Sequence, residues 1–171
     1  MLKHEELIKT YDFILKTLQA NNLPATFAFV GALTETREEF LDQSLQKLTS
    51  KRHKSWLKHS KDRINKEEGW FIPELMEMVL EYDTHEIASH SYTHIPFNTL
   101  SVEEARIELG LVKSWAENKN IECKTMVYPR NIIEHTNLLE SFGILAYRDI
   151  PISILPGKFP RILKTLIDET W

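Results

Sequence analysis

This 171-residue chain is poor in residues that build cross-linked or metal-knit scaffolds, with one cysteine and five glycines. A lone Cys123 excludes an internal disulfide and any multi-cysteine zinc site, and it suits a reducing compartment, so the cytoplasm is the expected location. Long apolar runs are missing too. PATFAFVG and KTMVYP are the longest clear ones, well short of the roughly 20 residues that a membrane helix needs. No membrane segment is therefore expected, and the opening MLKHEELIKTYD carries no apolar core of a secretory signal. Without a Gly-rich turn there is no phosphate cradle, which weighs against nuclease or other phosphoester chemistry. Nor is there a surplus of positive charge. With 21 basic and 25 acidic residues the net charge is −4, which gives no electrostatic case for nucleic acid.

What is present is ordinary for a folded protein. The chain is 42% apolar and 27% charged, which excludes a disordered chain, and its length fits a single domain over 1–171. Charge is uneven along it. Residues 51–68 hold Lys51, Arg52, Lys54, Lys58, Lys61, Arg63 and Lys66 against Asp62, Glu67 and Glu68. We read residues 49–69 as a basic insertion, either a solvated surface segment or a lip that helps to hold an anionic substrate.

Helix and strand signals alternate. Leu7, Tyr11, Ile14, Leu15 and Leu18 recur at helical spacing over 5–20, and Asn21, Asn22 and Pro24 end that helix. The run Ala25–Gly31, aromatic and β-branched, reads as a central parallel strand buried on both faces. Thr36-Arg37-Glu38-Glu39 and Ser101-Val102-Glu103-Glu104 are capping boxes that open helices through about 48 and 118. Ala105, Ile107, Leu109, Leu111, Val112 and Trp115 form the inner side of the second. Pro73 suits the first turn of a further helix. Strands are expected at 86–88, 124–128 and 144–147, a short helix at 138–142 stopped by Gly143, and a last helix over 161–167. This order predicts an α/β fold with parallel strands inside and helices outside, and ligands at the carboxyl ends of the strands.

Two segments at such ends carry chemistry. In His85-Glu86-Ile87-Ala88-Ser89-His90-Ser91-Tyr92-Thr93-His94, the zinc-protease pattern fails because Ser89 stands where its second histidine belongs. His90 and His94 do have a spacing of four. If the chain makes a helical turn there, both rings point the same way and suit zinc, cobalt or nickel better than magnesium or calcium. The alternative is two surface histidines on a polar turn. His85, before the strand, is expected to pack or hydrogen-bond locally. In Val127-Tyr128-Pro129-Arg130-Asn131 the proline forces an extended entry and a sharp exit. Arg130 is then free to pair with a carboxylate, and the amides that follow are free to face an oxyanion; the alternative is a solvent-facing turn arginine.

Together these segments resemble the polysaccharide deacetylase family, also called the NodB-homology or carbohydrate esterase 4 family, over about residues 5–149. Leu23–Gly31 is similar to the family's second strand, and His85–His94 to its second motif. Tyr128-Pro129-Arg130-Asn131 resembles the third motif of a subset linked with bacterial surface-polysaccharide synthesis, and Gly143–Arg148 the stretch that follows. The resemblance implies an incomplete or distorted (β/α) barrel that deacetylates N-acetyl sugars in a glycan or its precursor. It implies one divalent metal, zinc first and cobalt or nickel next, with His90 and His94 as two ligands. Arg130 would be catalytic, and Tyr128, Pro129 and Asn131 would bind the substrate. It further implies an aspartate ligand, an aspartate base and a late histidine acid. Asp12 is the sole aspartate before Ala25 and falls on the polar side of its helix, and the last histidine is His135. A missing base would cost hydrolysis about 10²–10⁴-fold. We therefore expect a shortened reading frame, a natural remnant, or a strand supplied by an oligomer or a complementing chain. The rival expectation is a non-catalytic relative that binds a glycan or a protein partner.

Overall fold

The computed structural model describes residues 4–66 and 70–149. Helix α1 (His4–Ala20) leads into strand β1 (Thr26–Phe29). A short helix α2 (Arg37–Glu39) runs on through a π-helical turn and a 3-10 turn to Lys47, and then α3 (Lys51–Lys66) follows. Next come α4 (Pro73–Leu80), β2 (Glu86–Ser89), α5 (Val102–Asn118), β3 (Thr125–Met126) and β4 (Ala146–Tyr147). The strands form one parallel sheet in the order β1-β2-β3-β4, so every loop that leaves a strand opens at the same end. Helices surround this sheet in the manner of an incomplete NodB-type (β/α) barrel.

Local chemistry explains most of the element starts. Both capping boxes close in full: Thr36 and Ser101 accept from the amides of Glu39 and Glu104, whose carboxylates accept from the cap amides in return. Pro73 occupies the first turn of α4, where its missing N–H is no loss. Gly143 ends the 3-10 stretch Thr136–Phe142 in the left-handed conformation, with φ of 85°, that glycine adopts at least cost. The helix expected at 161–167 lies outside the described residues.

Packing corrects two of the readings. β1 lies at the edge of the described sheet and pairs only with β2, from Thr26 opposite Glu86 to Phe29 opposite Ser89. Its aromatic content serves a helix instead of a second neighbouring strand: the Tyr11 ring of α1 stands 6.1 Å from that of Phe27 and 6.4 Å from that of Phe29. Ile14 is exposed beside Phe13, because α1 turns Leu15 inward and leaves its neighbours outside. The basic segment folds as the helix α3, with its basic side chains exposed and one face packed inward. Its His53, Ser60 and Ile64 are buried, Arg37 donates from Nε to the Ile64 carbonyl at 3.1 Å, and Arg63 lies over the Trp70 ring.

The core draws on the sheet and on the inner faces of α1, α4 and α5. Trp115, Leu109, Met126, Tyr92, Phe97 and Phe40 are all fully buried there. Trp115 also donates from Nε1 to the Thr34 hydroxyl at 2.9 Å, so its polar edge is satisfied. This core presses the ends of β1 and β2 together. The amides of Gly31 and Ala32 donate to the carbonyls of Ser91 and Tyr92, each at 3.0 Å, and that of His90 to Phe29 at 2.7 Å.

Candidate functional site

His90 and His94 stand together at the carboxyl end of β2, with ring centroids 4.8 Å apart and planes inclined by 58°. The route is not the helical turn expected from a spacing of four. Residues 90–94 instead form a non-helical turn in which Ser91 (φ 64°) and His94 (φ 65°) take left-handed conformations. Small hydroxyl groups sustain it. Ser89 Oγ accepts from the Ser91 amide at 3.0 Å, and Ser91 Oγ accepts from the His94 amide at 2.8 Å.

The His90 ring is oriented by the neighbouring strand connection. Its Nδ1 lies 2.7 Å from the Val127 carbonyl, which can only accept, so Nδ1 carries the proton and Nε2 keeps its lone pair. A carbonyl behind an imidazole is the usual orienting partner of a ligating histidine. The His94 side chain is exposed, and its pKa is lowered first by partial desolvation and then by the charges of His90 and Arg130, against an opposing pull from Glu108. A depressed pKa favours the neutral ring, the form that donates to a metal.

Two imidazole donors thus fit a borderline-soft divalent ion. Among the described residues no group of three His, Cys, Asp or Glu side chains converges on one point, so the donor set here is the pair alone. Asp12 is bound to Lys16 at 2.8 Å on the surface of α1.

The third-motif segment ends β3 as expected, extended at Tyr128 and then turning sharply through Pro129–Asn131. Arg130 and Asn131 take left-handed φ values of 59° and 54° and are exposed. No carboxylate pairs with Arg130 among the described residues, and its charge acts on His94 instead. Asn131 accepts at Oδ1 from Arg148 at 3.2 Å. Tyr128 and Pro129 are buried. Tyr128 is 1% exposed, its ring edge-on to Phe97 and Tyr147, and its hydroxyl has no partner among the described residues. The amides of Asn131 and Ile132, candidates for facing an oxyanion, bond back into the turn to Tyr128 and Pro129. His85 packs between Phe27 and Tyr82, its ring nitrogens unpartnered among the described residues.

Two buried carboxylates beside the histidine turn escape a reading of the sequence alone. Glu35 accepts from Ser44 Oγ and from the Tyr92 hydroxyl, each at 2.9 Å, and burial raises its pKa. Glu108 accepts from the Tyr92 and Thr93 amides at 2.9 and 2.7 Å. The signal for Glu108 was present: it lies three residues after Ala105 and four before Val112, so a carboxylate sits on the apolar stripe of α5.

A search of curated proteins returned no match to this chain. The family model described as "Polysaccharide deacetylase" matches residues 8–136, which spans α1 through the histidine turn to the turn after β3. That family supports a hydrolytic, deacetylase-type activity on a sugar substrate. With the match covering most of its length, the chain belongs to the polysaccharide deacetylase family.

Proposed function

We propose that this domain is a metal-dependent deacetylase of N-acetyl sugars in bacterial surface polysaccharide or its precursors. It would act in the cytoplasm, within the subset that carries a Pro-Arg-Asn third motif. The observation that carries the reading is the pair of adjacent imidazoles at the strand end, one with Nδ1 committed to a carbonyl. His90 and His94 would hold one divalent ion, zinc first and cobalt or nickel next. When bound, such an ion supplies Lewis acidity toward the acetamide carbonyl.

The chain's own residues set up the rest. The Val127 carbonyl aims His90, and desolvation together with the charges of His90 and Arg130 shifts His94 toward its neutral form. Arg130 places a cation beside His94, where it can orient a substrate or offset developing negative charge. Asn131, exposed on the same turn, is the nearest candidate to meet a sugar hydroxyl, with Tyr128 and Pro129 as the buried floor of the substrate subsite.

A second reading has its own observation. The donor set stops at two side chains among the described residues, which favours a non-catalytic domain that binds a glycan or a protein partner. A copy or complementing chain that adds a donor along the β1 edge would return the site to catalysis. Elemental analysis of bound zinc, together with acetate release from N-acetylglucosamine oligomers, separates these readings. We expect about one ion per chain, lost with His90→Ala and His94→Ala, and acetate release that falls with it. Oligomer binding without metal or acetate would establish the second reading. Metal and acetate values indifferent to His90→Ala would end the first.

A further inference from the structure

We propose that Glu108 and His53 are the positioning residues of the histidine turn, so that the basic helix α3 helps to set where His94 stands. The relevance to chemistry rests on the metal reading above; the positioning itself does not.

Glu108 is 0% exposed and makes its contacts on both oxygens. Oε1 accepts from the Tyr92 amide at 2.9 Å, the Thr93 amide at 2.7 Å and the Thr93 hydroxyl at 3.0 Å. Oε2 meets His53 Nε2 at 2.8 Å and lies 3.0 Å from the same Thr93 hydroxyl, which is shared between the two oxygens. His53 is likewise 0% exposed. Its Nδ1 lies 2.8 Å from Ser50 Oγ, which also accepts from the His53 amide at the start of α3. The Glu108 carboxylate can only accept, so Nε2–H donates to it, and in that tautomer Nδ1 accepts the Ser50 hydroxyl proton. One chain of hydrogen bonds therefore links Ser50, His53, Glu108 and the two amides between His90 and His94.

The turn needs such a clamp. Ser91 and His94 are non-glycine residues at φ of 64° and 65°, a conformation that persists only where the surroundings over-determine it. Tyr92 and Thr93 are buried, so their N–H groups have no solvent to turn to if the carboxylate is withdrawn. Aligning that carboxylate is the task left to His53. Deleting His53 leaves Oε2 with the Thr93 hydroxyl alone, a group of the turn itself, and removes the partner on α3 that fixes the carboxylate from outside; this loosens the two amides and, with them, the separation of the imidazoles.

Native-state hydrogen exchange on the full chain tests this without any metal. With His53→Ala, the Tyr92 and Thr93 amides should exchange at least tenfold faster while Leu111 and Val112 in α5 hold their protection. His53→Gln, whose amide can still donate to Glu108, should restore most of it. If His53→Ala does not fold, Ser50→Ala carries the same expectation, since it removes the hydroxyl on Nδ1 without opening a cavity beside Glu108. Unchanged exchange at Tyr92 and Thr93, or acceleration by one common factor through α5, would overturn the proposal. In a parallel titration with cobalt(II), a loss of affinity of about 10- to 100-fold, as second-sphere changes typically cause, with the d–d spectrum restored by His53→Gln, ties the clamp to the metal. Local exchange loss in a protein that binds no cobalt upholds the positioning and refutes the metal reading instead.

Discussion

A methyl group at Gly31 should disturb both the fold and the histidine turn. A Cβ built there would sit 2.8 Å from Cδ2 of Tyr92 and 3.3 Å from the Trp115 ring. Both rings are fully buried and hydrogen-bonded, Tyr92 to Glu35 and Trp115 to Thr34, so neither can swing aside cheaply. Overpacking of this kind costs about 1–3 kcal/mol. Against it stands the smaller entropy of an alanine-bearing unfolded chain, worth about 0.4–1 kcal/mol. The expected net loss for Gly31→Ala is about 1–2 kcal/mol. With a urea slope of about 2 kcal/mol per molar, that lowers the midpoint by about 0.5–1 M at unchanged slope. Trimming the obstructing ring isolates the cause. In a Tyr92→Ala background the Tyr92 contact is gone, so a double-mutant cycle should return a coupling of about 1 kcal/mol or more. A Gly31→Ala protein as stable as the parent, or a cycle with no coupling, would show that β1 and the turn do not meet as closely as described.

Two further outcomes follow from buried oxygens. Tyr128→Phe removes a hydroxyl that is buried and unpartnered among the described residues, so thermal or urea denaturation should find it neutral or more stable by up to about 1 kcal/mol; a clear loss would mean that the hydroxyl has a partner. Burial, only partly offset by the Tyr92 and Ser44 hydroxyls, lifts Glu35 above its ordinary 4.5. Between that value and the raised one the folded protein holds a proton that the unfolded chain has released. Stability then falls as pH climbs through this window and stays lower above it. Glu35→Gln should remove that component, so variant-minus-parent stability should rise with pH across the window, and a flat difference would contradict the account.

The chain's local logic was legible, and its long-range logic was not. Capping boxes at Thr36 and Ser101, Pro73 in a first turn and Gly143 as a stop are decided within four or five residues, and each stands where the sequence puts it. The short apolar strand at Thr26–Phe29 was legible as a strand but not as an edge, because aromatic residues pack equally well against a helix or a neighbouring strand. His90 and His94 were singled out on an argument about helical periodicity, yet two left-handed residues bring them together. That geometry depends on partners distant in sequence. The Val127 carbonyl is 37 residues from His90, and His53 is 55 residues from Glu108. A carboxylate on an apolar stripe looks like a blemish until the amides opposite it are known.

Ser91, His94, Arg130, Asn131 and His135 all hold positive φ without being glycine, and all lie in the segments that leave β2 and β3. The other two such residues among those described, Asn22 and Asn120, follow α1 and α5 and are asparagines, which take this conformation at less cost, so the domain concentrates most of its conformational tension where its chemistry would occur. Glycine introduced at any of these five positions would ease the backbone locally. A screen that rewards heat tolerance alone would then tend to gather such replacements, and the rings they carry or aim would be sacrificed in the process.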